Sequence, residues 1–320
     1  LSPREIFSTV YGHADVTYER MSGGRQMAGH FLSEMINSSK EWINQTNIKN
    51  HISDVSPLAT QMSRLVGLGL ASKIYRYNKI KNSSKFSNNG NEIVWGSIGN
   101  ASTSLGVFFE SVNACGVLQI PAVISIWDDG YGISVDNKHH TTKESISKAL
   151  NGFKLTKNQS GIEILKVKGW DYASLMKTYS YAENIARNYH VPVIIHVTEL
   201  TQPLGHSTSG SHERYKSKER LDWEKSNDCN LKFKEWIIEN KLCSQKKLQN
   251  IDYKNLHLLV CCMHSKVSII DILFFEFFFI SNHLVPGINS RISLTLIQFG
   301  SASRVLPFSS TDFATSSIAG

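Results

Sequence analysis

The chain has 320 residues, 41% of them hydrophobic and 19% charged, which is the composition of a folded protein with a sizeable core rather than a disordered one. Its formal net charge of +7 is spread along the sequence, and no zinc-finger, RNP-type or basic-region pattern accompanies it, so nucleic acid is not the expected partner. The five cysteines form no CxxC pair and no disulfide framework, which argues for a reducing, cytoplasmic setting.

Taken in chain order, Ser2 and Pro3 pair an N-cap with a proline at the first helical position and predict a short helix over residues 2–10. The glycine-rich stretch 22–31 reads as loop. A second helix is predicted after Ser56 and Pro57, with Leu58, Met62, Leu65 and Val66 on one face. From Glu92 onward strands and helices alternate: strand 92–98, helix 105–117, strand 121–127, a helix to Leu150 opened by a capping box at Thr141 and Glu144, and strand 162–167. Asp171 then caps a long helix to His190. Strand 191–198 follows as a near-continuous apolar run, then a polar loop over 199–216, then amphipathic helix to about Asn240.

This alternation predicts an α/β fold, a mostly parallel sheet with helices on both faces and its ligand at the carboxyl ends of the strands. Gly99 and Asn100, then Trp127, Asp128 and Asp129, and then Gly205 and His206 all fall beyond predicted strand ends. After residue 255 the rhythm stops. In the segment 256–320, Lys266, Arg291 and Arg304 balance Asp271, Glu276 and Asp312, leaving a neutral apolar tail without clear period. It reads as foreign to the domain of residues 1–255, as a frameshift or gene-model error would leave it. Its most apolar run, residues 267–280, carries Asp271 and Glu276 and is shorter than the ~20 residues a spanning helix needs, so no membrane partner is expected.

Asn100 and Asp129 stand 129 − 100 = 29 residues apart, one strand-helix-strand crossover, so both can reach one point above the sheet. With a backbone carbonyl and phosphate oxygens, two such oxygen donors suit magnesium. The same residues could equally cap a helix (Asn100) and close a turn before Gly130 (Asp129).

The wider context bears on that choice. "SIGNASTSLGVFFESVNACGVLQIPAVISIWDDGYGIS" resembles the magnesium–thiamine diphosphate motif in the alpha subunits of 2-oxo acid dehydrogenases, the decarboxylating components of the pyruvate and branched-chain complexes. Three more blocks are similar to that family in the same order: "GGRQMAGHF", "VSPLATQMSRLVGLGLA" and "GHSTSGSHERYKSKERLDW". The resemblance runs from about Ser2 to Asn255 and is closest to the bacterial type in which alpha and beta portions are fused.

It implies a thiamine diphosphate-binding fold and decarboxylation of a 2-oxo acid, with transfer of the acyl unit to a lipoyl group. It implies that Asn100 and Asp129 bind magnesium by side chain and Tyr131 by its carbonyl, while Gly99, Asn100, Ala101 and Ser102 lie at the diphosphate. Ser56 and Leu58 would meet the aminopyrimidine. Val55, Pro57, Thr60 and Gln61 correspond to residues that hold a potassium ion in some members. His206 corresponds to the active-site histidine, a residue type that titrates near neutrality, and His30 is a second candidate in the pocket. His212, in the same loop as His206, reads instead as a surface residue. The implied partners are a beta portion, which supplies the glutamate that activates the aminopyrimidine, and a lipoyl transacylase component.

Departures from the family pattern are specific. Asn100 replaces the acidic ligand while Asp129 replaces the second Asn, so the two have exchanged places. Gln202 stands where an Arg is common, and Gly210 where an Asp follows the His-Ser-x-Ser motif. The family's N-terminal region and beta portion are not in this sequence, so the isolated chain is expected to be inactive or nearly so. The alternative is a catalytically dead remnant that keeps the fold.

Overall fold

In a computed structural model, the described residues are 32–48, 50–52, 57–78, 80–206 and 211–252, with 8, 13–17, 19, 23 and 25 besides. The helix predicted over 2–10 (apart from Ser8), His30, Val55, Ser56 and the apolar tail lie outside them. The strands are β1 (Val94–Gly99), β2 (Ala122–Trp127), a small hairpin of β3 (Tyr131–Gly132) and β4 (Val135–Asp136), then β5 (Glu163–Lys168) and β6 (Val193–Thr198). β1, β2, β5 and β6 form one parallel sheet in the order β1-β2-β6-β5, as the alternating pattern predicts.

Period-two alternation sends successive strand residues to opposite faces. On one face Ile98, Ile124, Ile126 and Ile194 pack beneath α1 (Gln61–Tyr77) and α2 (Gly106–Leu118), which contribute Met62, Leu65, Phe108 and Val112. On the other, Trp95, Val123, Ile195 and Val197 meet the helix Tyr172–Tyr189 through Ala182 and Ala186. The fit on the first face is tight at Gly96, where a Cβ would run into the Leu65 side chain. The short helix Ile146–Ala149 is α3, and Tyr172–Tyr189 is α4. Two further helices, α5 (Lys218–Ser226) and α6 (Cys229–Glu239), follow the loop that carries His206.

Two local expectations are corrected. Leu58 lies before α1 and is 51% exposed, and Ala59, with φ 63°, takes the buried position beside Met62. The capping box does not form. Lys143 and Glu144 have φ of 63° and 55°, which turns the chain out of a helix, and Thr141 Oγ1 pairs with His140 Nδ1 instead. No helix among the described residues is long and apolar enough to cross a membrane.

Candidate active site

The carboxyl ends of β1, β2 and β6 are stitched together at the start of their loops. Asn100 N donates to Trp127 O at 2.9 Å, Asp128 N donates to Val197 O at 2.9 Å, and Leu200 N donates to Asp128 O at 3.1 Å. These bonds bring the loops after β1 and β2 together above the sheet.

The three expected cation ligands gather around a single residue, Tyr131. Asn100 Nδ2 donates to Tyr131 O at 3.0 Å, and Asp129 Oδ1 accepts from Tyr131 N at 3.1 Å. Asn100 does not cap the turn Ala101–Ser104 that follows it, whereas Asp129, bonded to the amide two residues on, does close a turn around Gly130. Burial pushes the Asp129 carboxyl up, outweighing the Tyr131 amide and the charge of Lys216. A carboxylate in that position gains from a cation. One carboxylate, one amide and one carbonyl are hard oxygen donors of the kind magnesium takes. Among the described residues no three His, Cys, Asp or Glu side chains cluster as a metal site, so a cation here would depend on amide and carbonyl oxygens.

The diphosphate positions fit as well. The amides of Ala101 and Ser102 open a 3-10 turn, where no preceding carbonyl of the turn takes them up. A Cβ on Gly99 would meet nothing nearer than Ser102 Oγ at 4.0 Å, so the strand end is open to a ligand. Of the potassium candidates, Thr60 Oγ1 donates to Pro57 O at 2.8 Å and Gln61 Nε2 donates to Ser97 O at 3.0 Å. Gln61 Oε1 is buried with no hydrogen-bond partner, an orphaned oxygen of the kind a cation satisfies.

His206 is partly buried and its Nδ1 has no hydrogen-bond partner. No hydrogen bond joins it to Asn100, Asp129 or Tyr131. His212 corrects the surface expectation: its side chain is only 12% exposed, and its ring lies 3.4 Å from where a Cβ on Gly205 would stand.

Two groupings at the site were not foreseen from the sequence, although Asp128 itself was noted beyond a strand end. The first is a buried ionic clamp. Lys216 Nζ lies 2.8 and 2.9 Å from the two oxygens of Glu224, both side chains being almost wholly enclosed, and Arg220 Nε lies 2.8 Å from Glu224 Oε1. Arg220 Nη2 also donates to Asp129 O at 2.7 Å, and Lys216 stands 5.1 Å from the centre of the Tyr131 ring. α5 thus grips the loop of Asp129 directly. The second is Asp128 on His196. The one titratable residue in the apolar run of β6, His196, is the sequence signal that marks it. Burial alone would raise the Asp128 carboxyl, but hydrogen bonds from His196, Asn137 and Gly130 N hold it below the usual carboxylate range.

The model of the dehydrogenase E1 component family matches residues 1–257. The chain belongs to the dehydrogenase E1 component family. It is 25% identical to a 2-oxoisovalerate dehydrogenase alpha subunit of Arabidopsis thaliana over 70% of this chain and 40% of that one. Against the alpha subunit of the same enzyme in Bacillus subtilis the identity is again 25%, over 70% of this chain and 58% of the relative. A pyruvate dehydrogenase E1 alpha subunit of Rickettsia bellii is 24% identical over 52% of this chain and 48% of its own. This E1-family chain therefore spans about half the length of the curated relatives it matches. Among solved structures, a transketolase of Pichia stipitis has a TM-score of 0.35 at 18% identity, covering 44% of this chain and 19% of that one.

Proposed function

We propose that the chain is the alpha part of a 2-oxo acid dehydrogenase that uses thiamine diphosphate and magnesium, decarboxylates a 2-oxo acid and passes the acyl unit to a lipoyl group. The observation that carries this reading is the convergence of Asn100 and Asp129 on Tyr131, at the strand ends of a chain of this family. When bound, the cofactor supplies the electron sink that makes decarboxylation feasible.

The chain's own residues anchor and orient it. Asp129, Asn100 and the Tyr131 carbonyl hold magnesium, while the amides beside Gly99, Ala101 and Ser102 meet the diphosphate. Leu58 would contact the aminopyrimidine, and Pro57, Thr60 and Gln61 would hold potassium, with Ser56 and Val55, outside the described residues, as the further candidates for these two roles. His206 holds or releases a proton at its ring nitrogen, with His30 as a second candidate. The partners in this proposal are a beta portion and a lipoyl-bearing transacylase. The cytoplasmic setting belongs to it too, supported by Cys115, Cys229 and Cys243 as free thiols.

A second reading is a remnant that keeps the fold without binding, and Gln202 and Gly210, where the resemblance implies a common Arg and an Asp, favour it. Calorimetric titration of thiamine diphosphate with magnesium, into the chain alone and with a beta subunit added, separates the two. The enzyme reading expects heat that vanishes without magnesium. No heat under either condition supports the remnant.

A further inference from the structure

Four residues to which the proposed function gives no role form one hydrogen-bonded chain that ends on Asn100. Ser147 Oγ and His196 Nδ1 are 2.8 Å apart, and His196 Nε2 lies 2.8 Å from Asp128 Oδ2. Asn137 Nδ2 donates to Asp128 Oδ1 at 2.9 Å, and Asn100 Nδ2 donates to Asn137 Oδ1 at 2.8 Å. The hairpin of β3 and β4 makes this possible. It turns the chain back so that Asn137 N reaches Gly130 O at 3.1 Å and the Asn137 side chain lies between the two loops.

The direction of each bond is forced. An ionised carboxylate only accepts, so Asn137 must offer its amino group to Asp128. Its Oδ1 then faces the other way and can only accept, so Asn100 must offer its own amino group in turn. With Asn137 Oδ1 and Tyr131 O taking both N–H groups of Asn100, that amide has one orientation, and its Oδ1 is the atom left for a cation. Were the amide free to turn over, it would present a positively polarised N–H to magnesium half the time.

We infer that Asn137 is a positioning residue of the cation site: anchored on Asp128, it fixes the Asn100 amide so that Oδ1, not Nδ2, meets the metal. This rests on the magnesium reading given under Proposed function. Asp128 and His196 act one and two steps further back. The carboxylate sets the direction of the chain, and the imidazole, steadied by Ser147, holds the carboxylate.

The test measures binding of manganese, a paramagnetic stand-in for magnesium, to the full chain with thiamine diphosphate by electron paramagnetic resonance. It compares wild type, Asn137→Ala, Asn100→Ala and the double variant. Asn137→Ala should weaken manganese binding by roughly 10- to 100-fold, the usual effect of removing an outer-shell partner. In the Asn100→Ala background the same change should do nothing further, because its effect passes through Asn100. Asn137→Ser, which keeps a hydroxyl able to donate and accept, should recover part of the affinity, and it is the comparison to use if the alanine variant does not fold. Wild-type affinity in Asn137→Ala, or an equal loss in both backgrounds, overturns the inference. Failure of the wild type to bind manganese overturns the magnesium reading itself, which is a different result.

Discussion

At the scale of single residues, the charge of the candidate cation site rests on one side chain. Asn100 is neutral, and the nearest other carboxylates, Asp128 and Glu224, are committed to His196 and to Lys216 and Arg220. Replacing Asp129 by Asn should therefore weaken magnesium-dependent cofactor binding by at least ten-fold more than replacing Asn100 by Ala, because it removes charge as well as a ligand. Titration calorimetry on the two variants reads this. A larger loss from Asn100→Ala would show that the acidic ligand has not moved to position 129. The nearness of Asn100 and Asp129 was legible in the sequence because the spacing of a strand-helix-strand unit places both residues at neighbouring strand ends, whereas their exchange of charge is what the family resemblance implies. Asn137 was not legible, since nothing in a local window shows that the β3–β4 hairpin returns it to Asn100.

At the scale of elements, the strands and helices follow from apolar periodicity, and α4 from its Asp171 cap, which accepts from Ser174 N at 3.0 Å. What the sequence does not show is how elements distant along the chain lock together. The pair His196 and Asp128 is 68 residues apart, and the clamp joins α5 to a loop on the far side of the sheet sequence. The clamp has a measurable cost when broken. Glu224→Ala leaves Lys216 buried without its counter-charge and should lower stability by roughly 3–5 kcal/mol in chemical denaturation. Lys216→Met should cost less, since Arg220 stays on Glu224. A Glu224→Ala protein as stable as wild type would mean that Lys216 finds another partner or reaches water.

At the scale of the whole molecule, folding stability should depend on acid through His190. This residue ends α4 in the left-handed conformation, with φ 56°, and neither ring nitrogen has a hydrogen-bond partner. Burial, with the charges of Arg76 and Lys73, pushes its pKa from 6.5 down to about 4. The unfolded chain then binds the proton more readily than the folded one. The His190 contribution is whole above pH 6.5 and is lost as pH falls from there to about 4. Denaturation midpoints at pH 7 and pH 5 should differ accordingly, and His190→Asn, which tolerates the same backbone conformation, should flatten the difference. An unchanged slope in that variant would place the acid sensitivity elsewhere.

The bond from Arg220 to the carbonyl of Asp129 bridges 91 positions of sequence. For anyone interpreting natural variants, a change at Arg220, Lys216 or Glu224 should loosen the loop that carries Asp129, although none of the three lies in the Gly99–Tyr131 segment. Mutational scans confined to the Gly99–Tyr131 segment would leave those positions out and miss the part of the chain that keeps the segment in shape.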